Sequence, residues 1–110
     1  MYYVVKKVNI SAAHRLELDY ESKCQNIHGH NWLITVYCKS ATLNQNGMVT
    51  DFSSIKEQIE DFLDHKYLND IFAFNPTSEQ IAKWIVDHIP NCYKAEVQES
   101  DGNLACYEKD

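Results

Sequence analysis

The chain has 110 residues, 45% hydrophobic and 24% charged, with a formal net charge of −6. That size fits one globular domain over residues 1–110, and the acidic excess argues against a nucleic-acid or anionic-membrane surface. No signal-peptide pattern, membrane-length apolar run or CxxC pair is visible, so a reduced cytoplasmic setting is expected.

Residues from about Tyr3 to His14 read as a strand, with Val8, Ile10, Ala12 and His14 on one parity. The polar stretch Glu17 to Lys23 reads as a loop. A second strand runs from about His28 to Lys39, with His28, His30, Trp32, Ile34, Val36 and Cys38 on one face. Hairpin pairing of the two strands would set His14 beside His28 and His30, provided no bulge shifts the register. Asn44-Gln45-Asn46-Gly47 is a turn signal. Asp51 is a good N-cap for a helix whose apolar stripe is Ile55, Ile59, Phe62 and Leu63, ending near Asp64-His65. Lys66 to Pro76 reads as a connection. Thr77 and Gln80 fit a capping box for a second helix, with Ile81, Ala82, Ile85 and Ile89 as its stripe and Pro90 as its stop. Two short strands, about Tyr93 to Glu99 and Leu104 to Glu108, follow around an Asp101-Gly102-Asn103 turn.

The expected fold is therefore α+β in the order ββααββ, a four-stranded antiparallel sheet with two helices on one face. Such a sheet has two open edges, which symmetric pairing of subunits would cover. Cys38, Cys92 and Cys106 lie in apolar, strand-like surroundings and are expected to be small core residues.

Three imidazoles converging from neighbouring strands, with a fourth position open, suit a catalytic zinc site. Gly29, between two of them, lets backbone or substrate come close. Cys24 lies four residues before His28. It has three possible roles: a base favoured by nearby positive charge, a fourth ligand that closes a structural site, or an inert buried thiol. Asp64-His65 is either a carboxylate–imidazole proton relay or a histidine meeting the helix C-terminal dipole. Glu99 is either a solvated strand end or an acceptor of two N–H bonds from a guanidine-like heterocycle edge.

The segments Ser11-Ala12-Ala13-His14-Arg15-Leu16, Cys24-x-x-x-His28-Gly29-His30-Asn31, Gly47-Met48-Val49-x-Asp51-Phe52, Leu63-Asp64-His65-x-x-Leu68-Asn69, Asn75-Pro76-Thr77-x-Glu79 and Glu99 occur in that order over nearly the whole chain. Together they resemble the 6-pyruvoyl-tetrahydropterin synthase family. The three-residue gap between Cys24 and His28 resembles its 6-carboxytetrahydropterin synthase branch, which serves queuosine and deazapurine biosynthesis. The resemblance implies the tunnelling fold (T-fold), in which subunits join sheet edge to sheet edge, commonly as two stacked trimers, with active sites at interfaces. It implies zinc on His14, His28 and His30, and 7,8-dihydroneopterin triphosphate as substrate. It implies Cys24 as proton acceptor, Asp64 and His65 as the relay, and Glu99 as pterin anchor and part of that relay. Phe52 and Thr77 fall in motifs near the pterin. The carboxy branch cleaves a carbon–carbon bond and releases acetaldehyde and triphosphate. The pyruvoyl branch eliminates triphosphate and keeps all the carbons. A silent metal- or pterin-binding module is the reading from a different class.

Overall fold

The structure, a computed structural model, describes residues 1–110. Two long strands form its spine. Strand β1 (Tyr2–His14) and strand β2 (His28–Ser40) pair antiparallel through thirteen unbroken positions, from Tyr2 opposite Ser40 to His14 opposite His28. Because strand side chains alternate between faces, this single register buries Val8, Ile10, Ala12, Trp32, Ile34 and Val36 and carries all three histidines to one end of that face.

Helix α1 (Phe52–Leu63) starts at Asp51, whose carboxylate accepts the Ser53 N–H at 2.8 Å, and buries Ile55, Ile59 and Leu63 against the sheet. Phe62 was expected in that stripe but is about half exposed. It lies on the shoulder of the stripe and packs on Trp84, with ring centroids 5.1 Å apart. After α1 come strand β3 (Lys66–Tyr67) and a single helical turn, α2 (Leu68–Ile71). Helix α3 (Ser78–His88) is capped by Thr77, whose hydroxyl accepts the Gln80 N–H at 3.2 Å, and buries Ile81, Ala82, Ile85 and Val86. Strands β4 (Cys92–Ser100) and β5 (Asn103–Glu108) close the chain around Gly102, whose φ of 83° suits a residue without Cβ.

The fold is α+β, as expected, but the sheet has five strands in the order β3-β1-β2-β4-β5 rather than four, and there are three α-helices rather than two. The additions both fall in the stretch read as a connection. Strand β3 pairs parallel with Ala12 and Ala13 through only two residues, too few to show any periodicity in sequence. Cys38 and Cys92 are buried, but Cys106 is exposed, because it occupies the outward-facing parity of β5. No helix is long and apolar enough to cross a membrane.

Candidate active site

At the helix-facing end of the β1–β2 hairpin, ligand atoms of His14, His28, His30 and Glu99 all lie within 4.8 Å of one another. Three local devices bring them there. The paired ends of β1 and β2 deliver His14 and His28, two residues further along β2 deliver His30, and Glu99 stands where the β4–β5 register breaks between Gln98 and Ser100. Such breaks re-aim a side chain. Trp32 is buried beneath the group, with its ring centroid 5.0 Å from His14 and 5.2 Å from His30, and its indole N–H donates to the Ala12 carbonyl at 3.1 Å.

Backbone carbonyls set the tautomers. A carbonyl only accepts, so where Nδ1 contacts one, Nδ1 carries the proton and Nε2 keeps its lone pair. His14 Nδ1 is 2.8 Å from the Pro76 carbonyl and His28 Nδ1 is 2.8 Å from the Asn26 carbonyl. Fixing a ligand histidine through its second nitrogen is the usual outer arrangement around a metal. Burial lowers the pKa of His14, outweighing the opposing effect of its bond to Pro76, and burial likewise lowers that of His30 against the opposing effect of Glu99. Both imidazoles are thereby biased to the neutral form a metal requires.

The residues fit a metal ion. His14 is fully buried, and its Nε2 has no hydrogen-bond partner. Glu99 Oε2 lies 3.0 Å from His30 Nε2, yet the contact lacks hydrogen-bond geometry, and this buried ring nitrogen has no hydrogen-bond partner. Unpaired buried lone pairs that converge on one point are costly unless a cation sits among them. The fourth member of the group is Glu99, not Cys24.

The other sequence-predicted residues divide. Cys24 is partly buried in a short 3₁₀ turn (Lys23–Gln25), beside the group in sequence but outside it. Glu99 Oε1 accepts from the Ser78 hydroxyl at 3.2 Å, at the mouth of a polar cavity of about 380 Å³ that Ser78, Glu79, Asn103 and Leu104 also line. Thr77 caps the adjoining helix. Asp64 and His65 lie on the outer edge of β1. Asp64 Oδ1 accepts the Ser11 N–H at 2.8 Å and stands 3.0 Å from His65 Nδ1, while His65 itself is largely exposed. His65 lines a cavity with Ser11, Gly29, Asn31 and His30, the last of which is also in the ligand group. Phe52 lies by Tyr2 and Tyr3 at the far end of the hairpin, roughly 35–40 Å along β1 from His14 at strand rise. One chain therefore brings together His14, His28, His30 and Glu99, and does not bring Phe52 or His65 into that group.

A sequence profile of the 6-pyruvoyl tetrahydropterin synthase family matches residues 3–110. The chain belongs to that family. It is an enzyme of a pterin-processing group. A 6-carboxy-5,6,7,8-tetrahydropterin synthase from Synechocystis is 36% identical over 97% of this chain and 93% of its own length. A protein of the same name from Bacillus subtilis is 28% identical over 93% of this chain and 82% of its own. The fold superposes on the Caenorhabditis elegans 6-pyruvoyl tetrahydropterin synthase with a TM-score of 0.77 and 26% identity, covering 99% of this chain and 96% of that one. Sequence reasoning missed the carbonyls of Pro76 and Asn26, Ser78 and Trp32. Only Trp32 left a signal, its shared parity with His30.

Proposed function

We propose that the chain is a zinc-dependent lyase that converts 7,8-dihydroneopterin triphosphate to 6-carboxy-5,6,7,8-tetrahydropterin with release of acetaldehyde and triphosphate, in a cytoplasmic route to queuosine or related deazapurines. The observation that carries the lyase reading is the set of three imidazoles and the Glu99 carboxylate whose ligand atoms converge within 4.8 Å of one another at the edge of a polar cavity. Support for the carboxy product comes from the two relatives of that name and from the short gap between Cys24 and His28.

In this reading His14, His28 and His30 hold the ion, which would supply Lewis-acid polarisation of the substrate's side-chain oxygens. Glu99 takes the pterin edge, with Ser78 orienting one of its oxygens. Cys24 accepts a proton from the substrate side chain. His65, held by Asp64, moves a proton on the other side. Since His65 and Phe52 do not reach the ligand group within one chain, a second copy supplies them, and the enzyme is a homo-oligomer, in our reading two stacked trimers, with shared sites.

The test is metal analysis together with mass spectrometry of the product formed from 7,8-dihydroneopterin triphosphate. About one zinc per chain and 6-carboxytetrahydropterin with acetaldehyde are expected. A 6-pyruvoyl product would transfer the chain to the activity named for its C. elegans neighbour. Bound zinc without turnover would leave a binding module.

A further inference from the structure

Asn69 and Asn75 take no part in the ligand group, yet each makes the same unusual pair of bonds. Asn69 Oδ1 accepts the Arg15 N–H at 2.9 Å, and its Nδ2 donates to the Arg15 carbonyl at 2.9 Å. Asn75 Oδ1 accepts the Glu17 N–H at 2.9 Å, and its Nδ2 donates to the Glu17 carbonyl at 3.0 Å. A carboxamide carries one acceptor and one donor group side by side, so it can engage one residue's N–H and C=O as a neighbouring strand would.

The placement continues an edge. Along the outer side of β1, Ser11 is met by Asp64 and by the His65 N–H, and Ala13 is paired with Tyr67. Backbone groups two residues apart in an extended chain point to the same side. Asn69 at Arg15 and Asn75 at Glu17 therefore carry that edge past the end of β1, where no strand remains to do it. The opposite side of the same extension holds Cys24, because the Leu16 N–H donates to the Cys24 carbonyl at 2.9 Å. The residue after Asn75, Pro76, supplies the carbonyl that fixes the His14 tautomer.

The structure assigns Asn69 and Asn75 as positioning residues that replace a missing strand and hold the Cys24 loop in register with the histidine group. The assignment rests on the lyase reading for its kinetic consequence, though not for its geometry. A base displaced by about 1 Å loses on the order of 100-fold in rate, so residues that touch no substrate can matter through alignment alone.

Asn69→Ala and Asn75→Ala test this in the full chain. Three quantities are read: zinc per chain, the rate at which iodoacetamide labels Cys24 (resolved peptide by peptide by mass spectrometry), and kcat with KM. The Asn75 bonds are exposed, so Asn75→Ala is the variant that keeps its fold if Asn69→Ala does not. The expected result is zinc retained, Cys24 labelled several-fold faster, and kcat lowered roughly 10–100-fold with a much smaller change in KM. A folded Asn75→Ala chain with wild-type labelling or wild-type kcat overturns the assignment. A wild-type chain that turns over no dihydroneopterin triphosphate defeats the lyase reading instead, and the labelling rates then decide the positioning role by themselves.

Discussion

At His14 a fully buried imidazole ends in a nitrogen with no partner. Leaving a buried acceptor unsatisfied costs about 1–3 kcal/mol, and a metal on it removes that cost. Zinc in hundredfold excess over its dissociation constant adds about 2.7 kcal/mol, which for a domain of this size raises Tm by roughly 10–20 °C. Thermal melts with chelator and with zinc should differ by that much, and identical melts would contradict the metal assignment. Asp64 gives the corresponding test for the relay. Its carboxyl is held below the usual carboxylate range by the Ser11 N–H above all, against the opposing effect of desolvation and with His65 lowering it further. A carboxyl with a lower pKa in the folded state stabilises above its unfolded pKa of about 3.9, and that stability is lost as pH falls through the folded value. Asp64→Asn keeps an acceptor for Ser11 but does not titrate. Acid unfolding of this variant should show a shallower loss below pH about 4, while turnover falls about 10²–10⁴-fold as His65 loses its orienting charge. Wild-type turnover in the variant would remove Asp64 from the relay.

The elements show why some of the molecule can be read from sequence. Local rules act within a few residues, and they placed the caps at Asp51 and Thr77, the buried stripe of α1 except Phe62, and the turn at Gly102. The hairpin register was legible for another reason: a one-residue slip would turn one strand's apolar parity to the wrong face, and the pairing that sets His14 opposite His28 keeps both parities buried. What failed to show lies in residues 66–76, where two-residue pairing and side-chain amides do the work of a strand, and neither leaves a periodic trace. The Pro76 carbonyl on His14 spans 62 residues of sequence, a distance at which no local rule operates. Asp51→Ala tests the local part. Losing an N-cap costs about 1 kcal/mol, so Tm should fall by roughly 4–8 °C. An unchanged melt would mean that packing of Ile55, Ile59 and Leu63 alone sets the helix start.

On the scale of the whole chain, the shape is long, with extents of 51 × 27 × 26 Å, drawn out along the thirteen-residue strands β1 and β2. Met1, Tyr2, Tyr3 and Val5 are exposed at the start of β1, an apolar group that suits the proposed contact with another copy. The outer edge of β5 is unpaired, and that of β1 is covered by backbone only beside Ser11, Ala12 and Ala13. Open edges invite pairing with another copy. The proposed shared site can be tested through Cys24 and His65, which stand on different elements and outside the ligand group. Light scattering should give a mass that is a multiple of 12.8 kDa, and an active species of 12.8 kDa would refute the shared site. Complementation gives the sharper measurement. Cys24→Ala and His65→Ala should each be inactive alone. If every site draws Cys24 from one copy and His65 from another, random mixing at equal amounts leaves half the sites with an intact Cys24, half of those with an intact His65, and about a quarter of wild-type activity. Subunit exchange confirmed by mass spectrometry with no recovered activity would place both residues in one chain's site.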